Sequence, residues 1–190
     1  MQKLDLKIIN GTVANSTETF RSDIGIKDGV IVAIGKEIGD SERIIDAKGQ
    51  LVLPGGIEAH CHIEQESSSG IMTSDDYYSG SVSAAFGGNT CIIPFAAQHR
   101  GQNLHDVLDL YHGRAEPKSV IDYSFHLIIS DPTENVIKNE LPDVIEQGIT
   151  SFKVYMTYDK LMEIQSTRAE QIQKQLKYVP VPNGKAIFLG

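Results

Sequence analysis

From Gly55 onward the chain alternates apolar, β-branched runs with stretches of helical length, and this order constrains its fold more than any other feature. The first run, residues 55–64, reads Gly-Gly-Ile-Glu-Ala-His-Cys-His-Ile-Glu, and later runs occupy residues 90–95, 120–129 and 151–155. Three helical patterns lie between them. The first opens on Thr73 or Ser74 as N-cap, with Asp75 and Asp76 in its first turn, and closes at Phe86 before Gly87-Gly88. The second covers residues 104–115, and the third covers residues 134–147, interrupted by Pro142 and ended by Gly148. Carboxylates suit the positive end of the helix dipole, and a glycine beyond the last turn takes the backbone that stops a helix. A helix between successive strands returns the chain to the same end of the sheet. The expected arrangement is therefore parallel βαβ units, with four strands and three helices up to Lys153. A closed (β/α)8 barrel takes about 250 residues, more than residues 55–190 supply, so only part of a barrel is expected.

Residues 1–54 follow a different grammar. Short apolar runs at 4–9, 12–14, 24–27 and 30–34 are separated by Asn10-Gly11 and Asp28-Gly29, and residues 44–46, Lys48-Gly49 and 51–53 continue the pattern. Asn-Gly and Asp-Gly are hairpin signals, because both central turn positions need positive φ. These residues are expected to form a small β unit, half of a sandwich, that precedes the α/β part.

At 190 residues and 41% hydrophobic composition the chain can bury a sizeable core. Its net charge of −8 is spread along the sequence without a Lys/Arg cluster, which makes nucleic acid and anionic membrane poor partners. No apolar stretch has the length of a membrane span, and the N-terminus lacks the basic-then-apolar plan of a signal peptide, so the expected location is the cytoplasm. Cys61 and Cys91 fall in expected buried strands, where a reducing compartment keeps them as inert thiols.

Side chains alternate faces along a strand, so His60 and His62 project to one side and Cys61 to the other. The apolar residues 51–53 lead through Pro54-Gly55-Gly56 directly into this pair. Two imidazoles on one face of a buried strand need partners, and a divalent metal satisfies both. The simpler alternative is a pair of histidines satisfied by water or carboxylates. Lys153 lies within the apolar run Ser-Phe-Lys-Val-Tyr-Met-Thr-Tyr of residues 151–158, where an unpaired ammonium is costly to bury. In a barrel of parallel strands the chemistry sits at the C-terminal strand ends, and His60, His62 and Lys153 all fall there.

The β unit with Asp28-Gly29, the Leu53-Pro54-Gly55-Gly56 approach, the His-x-His strand and Phe152-Lys153-Val154-Tyr155-Met156 together resemble the cyclic amidohydrolases, specifically the dihydropyrimidinase/hydantoinase branch. The match runs roughly from Leu4 to Met162. It implies a β-sandwich-like unit over residues 1–54, the first four strands of a TIM-type amidohydrolase barrel over residues 55–162, and a divergent tail over residues 163–190. It also implies that His60 and His62 bind one metal of a dinuclear zinc site and that Lys153, carboxylated by CO2, bridges both metals. Tyr158 resembles the family tyrosine whose hydroxyl binds the substrate carbonyl as charge develops on its oxygen. Outside that resemblance Tyr158 reads as an interfacial tyrosine at a strand end. The activity implied is metal-dependent hydrolysis of a small cyclic ureide or imide by a protein that is a homo-oligomer in its full-length form.

Several positions refine or interrupt the match. Dihydroorotases place a carboxylate-holding arginine two residues after the second histidine, whereas Glu64 stands here, which favours a substrate without a carboxylate. Glu58 replaces the aspartate usual two residues before the first histidine. Residues 65–74 resemble the loop that gates the pocket in this family, and Ser67 to Gly70 also fit an ordinary flexible loop. His99, His105, His112 and His126 match no ligand position and read as surface or core histidines. After Met162 the sequence reads as a polar helix over residues 168–178, a Val-Pro-Val-Pro-Asn-Gly turn and an apolar strand over residues 185–189, without histidine. The resemblance implies six protein ligands in a full site, and three of them are in this chain. The alternative to a hydrolase is a non-catalytic relative that keeps the scaffold as a binding or assembly module.

Overall fold

The computed structural model describes residues 3–67, 69–155 and 187–189 and divides into two compact units, Met1–Gly55 and Gly56–Gly190. The first unit is one mixed sheet of five strands, β1 (Leu4–Ala14), β2 (Thr19–Lys27), β3 (Val30–Gly35), β4 (Ser41–Asp46) and β5 (Leu51–Val52). Its order is β3-β2-β1-β4, with β5 also on β1. The β1/β2 and β2/β3 pairs are antiparallel, while β4 and β5 run parallel to β1. Asp28 and Gly29 have φ of 50° and 75° and form the expected turn between β2 and β3.

Asn10-Gly11 does not form the expected hairpin. β1 continues through it as one strand, with a register shift against β2 between Ile8 and Gly11. Asn10 has φ of 58°, its N–H donates to Asp23 Oδ1 at 3.1 Å, and its side-chain amide donates to Asp46 Oδ1 at 3.0 Å. Positive φ is therefore used for a bulge, which neighbouring strands hold from both sides. A Cβ at Gly11 would lie 2.7 Å from Val52 Cγ2, so the close approach of β5 requires glycine. The bulge lets the first half of β1 pair with β4 and the second half with β5.

The sheet leaves large apolar side chains exposed, among them Val30, Val32, Ile34, Ile44, Leu51 and Leu53 at 52–62% of full accessibility. Exposed apolar side chains in this number favour association. The chain is therefore expected to self-associate in light scattering, and a monodisperse monomer that melts cooperatively would count against this.

The second unit contains β6 (Gly56–Cys61), α1 (Tyr77–Phe86), β7 (Asn89–Ala97), α2 (Leu104–Ala115), β8 (Asp122–Tyr123), β9 (His126–Ile128), a π-helical turn (Val136–Glu140), α3 (Leu141–Glu146), β10 (Ser151–Lys153) and β11 (Ile187–Leu189). The sheet order is β11-β10-β9-β7-β6, with β8 on β7, and the pairings are parallel. An α/β fold with a partial barrel follows. The strand expected over residues 120–129 is present as two segments, β8 and β9, which meet β7 at Cys91↔Asp122 and Phe95↔His126.

Helix α2 has the bounds its pattern predicts. Leu104, Val107, Leu108, Tyr111 and Ala115 recur at helical spacing and are all buried, so a single stripe faces the sheet. Each buried Leu or Val contributes about 1.5–3 kcal/mol. The Asn103 side chain caps this helix by accepting His105 N–H at 2.8 Å, and buried Glu140 accepts Leu104 N–H at 2.8 Å. Helix α1 starts later than expected. Asp76, not Thr73 or Ser74, is its N-cap, with the Asp76 carboxylate on Ser79 N–H and the Ser79 hydroxyl on Asp76 N–H. The reason is tertiary, since Thr73 N–H bonds to Gln65 O and Asp75 O accepts Glu64 N–H, which holds these residues against the strand exit. Pro142 lies in the first turn of α3 and cannot donate. The Leu141 N–H before it reaches back five residues to Val136 O, giving the π turn.

Candidate active site

His60 ends the edge strand β6 with Cys61, and His62 follows directly. The expectation of a buried strand is not met. β6 is an edge strand of the sheet and both histidines are exposed. Their shared face is found as expected, for the two rings lie 5.6 Å apart, centroid to centroid. Both also touch Phe95 of β7, each at 4.9 Å, His62 stacked at 17° and His60 edge-on at 69°. Cys61 turns towards the core.

Lys153 closes β10, and its Nζ lies 4.5 Å from the centre of the same Phe95 ring and 5.1 Å from that of Tyr155. The ammonium expected to be costly in an apolar strand is half-buried and faces two aromatic rings, which attract a cation electrostatically. Phe95 is fully buried. The structure thus gathers His60, His62 and Lys153 from two strands around a ring on a third. Tyr158 lies outside the described residues.

The hydrogen bonds fix how the groups can act. His62 Nδ1 lies 2.6 Å from Gln65 Oε1, an acceptor only, so Nδ1 donates, and in the neutral tautomer this selects, Nε2 is the nitrogen with the lone pair. Glu58 Oε1 accepts His60 N–H at 2.9 Å and so fastens the backbone of the first histidine. Glu64, with φ of 45°, is held by the end of α2 and the turn that follows it. Both carboxylate oxygens accept from Lys118 Nζ at 2.8 Å, and its carbonyl accepts from Arg114 at 3.0 Å. Its carboxylate also accepts Tyr77 N–H at 3.2 Å. At this position the side chain anchors the loop start.

That loop folds back on itself through the Glu66↔Met72 bridge and the Ser67 N–H to Ile71 O bond of 2.8 Å. A pocket of about 420 Å³ opens between it and His62, lined by Gln65, Ser67, Ser69, Ile71, Met72 and Thr73.

The remaining histidines divide as follows. His126 is buried, and its Nε2 must donate to Ala59 O at 2.7 Å, which leaves Nδ1 to accept from the Ser151 hydroxyl. Burial holds this imidazole below the ordinary histidine range. It ties β6 to β9 and β10 and is a core histidine. His99 and His105 are half-buried and His112 is exposed. Both cysteines are half-buried rather than buried. Burial pushes the Cys61 thiol up to about 11 and also raises Cys91, so both stay protonated at neutral pH.

A zinc ion held by two imidazoles at about 2.0–2.1 Å in tetrahedral geometry sets their ring centres on the order of 5 Å apart. The His60/His62 spacing and the free Nε2 of His62 fit that requirement. Among the described residues, however, no group of three or more His, Cys, Asp or Glu surrounds one point. Among the described residues, Lys153 is a further candidate donor, brought near the pair by its contact with the same Phe95 ring.

Phe95 and His126 were missed as site elements from sequence. The signal was present in the apolar run around residue 95, but nothing in one strand tells which neighbour's side chains its ring will meet.

The fold and this cluster define an α/β chain with a partial parallel barrel that brings two histidines and a lysine to one aromatic ring. Comparison with known proteins makes it narrower. The chain is 44% identical to a D-hydantoinase of Geobacillus stearothermophilus over 158 residues, 82% of this chain and 33% of that one. It is 35% identical to a dihydropyrimidinase of Dictyostelium discoideum over 191 residues, 96% of this chain and 38% of that one. A solved D-hydantoinase structure superposes with a TM-score of 0.85 at 41% identity, covering 90% of this chain and 37% of the other. The dihydropyrimidinase from Brevibacillus agri NCHU1002 gives 0.84 at 36% identity, covering 91% and 38%. No family model matches the chain. The chain belongs to the hydantoinase/dihydropyrimidinase branch and is consistent with an N-terminal part of it. It spans about a third of the length of the curated relatives it matches.

Proposed function

We propose that this chain supplies part of a zinc-dependent hydrolase that opens cyclic amides of the dihydropyrimidine or hydantoin kind. The observation that carries the proposal is the convergence of His60, His62 and Lys153 on Phe95 in a chain related to hydantoinases. In this reading residues 1–54 are the sandwich-like unit and residues 55–162 carry the first four strands of a TIM-type barrel. The protein works as a homo-oligomer in a reducing cytoplasm that keeps Cys61 and Cys91 as thiols.

His60 and His62 would hold zinc through neutral ring nitrogens, with Gln65 setting the tautomer of His62. The Lys153 amine adds to CO2 with loss of a proton, becoming a carbamate anion suited to two cations. Zinc supplies activation of water and polarisation of a carbonyl at neutral pH. Tyr158 donates a hydrogen bond to the ring carbonyl oxygen as negative charge develops there. The water oxygen ends on the carbonyl carbon, the C–N bond breaks, and the nitrogen takes the proton. The loop pocket beside His62 receives the ring substituent.

The test is to join this chain in frame to the remaining residues of a D-hydantoinase and assay opening of dihydrouracil and a 5-substituted hydantoin. Turnover supports the proposal. A folded fusion that retains zinc yet opens neither ring would overturn it. A scaffold without catalysis is the second reading, favoured by the sparse donor set among the described residues. By itself the chain is expected to keep far less than two equivalents of zinc after dialysis, measured by elemental analysis, because two imidazoles and one lysine leave a second ion without ligands of its own. Two tightly held equivalents would show that the site is more complete than these residues imply.

A further inference from the structure

We infer that Phe95 is a positioning residue for the proposed zinc ligands, an inference that rests on the reading of His60, His62 and Lys153 given above. A side chain that only filled the core would touch other apolar groups. Phe95 is fully buried, yet its ring meets four polar side chains: His62 stacked at 4.9 Å, His60 edge-on at 4.9 Å, His126 tilted at 5.1 Å and the Lys153 ammonium at 4.5 Å.

These contacts matter because the three candidate ligands have little else to orient them. His60 and His62 are exposed, on and just beyond an edge strand, and solvent does not select a rotamer. Among the described residues, His62 Nδ1 meets Gln65 and its ring stacks on Phe95, while the His60 ring meets those of His62 and Phe95. Aromatic pairs prefer offset-stacked or edge-to-face geometry, and both are realised on this one ring. The ring is itself locked. β7 places Phe95 opposite His126 on β9, and the Cys61↔Pro94 pair sets β6 on its other side. Register thus passes through Phe95 to the imidazoles and to the lysine on β10. A metal site held loosely by its supporting side chains loses affinity even when every ligand is present.

Replacing Phe95 by Leu removes the ring and keeps an apolar side chain. Phe125→Leu is the matched control, since Phe125 is also buried but contacts Tyr77, Tyr111, His112 and Tyr123 and none of the candidate ligands. Zinc affinity of this chain is measured by competition with a chromophoric chelator, beside a thermal melt of each protein. Phe95→Leu is expected to weaken zinc by about 10- to 100-fold, the range typical for residues that orient metal ligands. Phe125→Leu should stay within about threefold of wild type although both lower Tm. If Phe95→Leu fails to fold, Phe95→Met, which preserves more of the volume, is expected to give the same weakening. Wild-type affinity in the folded Phe95 variant would overturn the inference and leave the proposed function standing, as would equal weakening in both variants. Wild-type chain that binds no zinc under titration overturns this inference and leaves the proposed function to the fusion assay.

Discussion

Lys153→Ala in the fusion with the remaining hydantoinase residues is expected to abolish ring opening and to lower zinc content together. Altering a group that merely orients a metal ligand already costs about 10- to 100-fold in affinity or activity, and in the proposed role the Lys153 carbamate would itself be a ligand. The lysine sits at the end of β10, in register with Ile128 of β9, so its loss leaves the neighbouring strand intact and the fold is expected to survive. Far-UV circular dichroism would establish that. Short carboxylic acids added to the mutant should restore a little turnover, since they can occupy the position of the carbamate. Full zinc content with normal turnover in the alanine variant would make Lys153 an ordinary structural residue and remove the strongest support for a hydrolase.

Tyr158→Phe separates a different step. The hydroxyl is assigned to the developing oxyanion and not to the metals, so zinc content should stay at the wild-type level. The turnover number of the fusion should fall by about 10²- to 10³-fold, the usual loss for one oxyanion donor, with a smaller change in KM. An unchanged turnover number would return Tyr158 to the role of a strand-end tyrosine. Lost zinc would instead place the hydroxyl among the groups that build the metal site. The two variants therefore distinguish metal assembly from stabilisation of the transition state.

Legibility differed between kinds of feature. Helix α2 was legible because apolar positions at helical spacing are a local signal, while its Asn103 cap emerged only in the structure. The Asp28-Gly29 turn was equally clear, as positive φ at both positions leaves few alternatives. The same logic misread Asn10-Gly11, where Asp23 and Asp46 from other strands use the same backbone conformation for a bulge. It placed the start of α1 too early, because Asp75 and Thr73 are bound to Glu64 and Gln65, which no local pattern encodes.

The sequence by itself determined the order of strands and helices, the parallel sheet, and the candidacy of His60, His62 and Lys153. These follow from side-chain periodicity, turn chemistry and the cost of an amine in an apolar run, all properties of a few neighbouring residues. Only the tertiary structure decided that β6 lies at the sheet edge with both histidines exposed, that His126 ties three strands together, and that Glu64 is held by Lys118. It also decided that one ring, Phe95, stands between ligand candidates almost a hundred positions apart in the chain. The physical reason is register. Pairings such as Cys61↔Pro94 and Phe95↔His126 are set by the joint packing of strands and helices around a shared core, and a shift of one residue would turn each of these side chains to the opposite face.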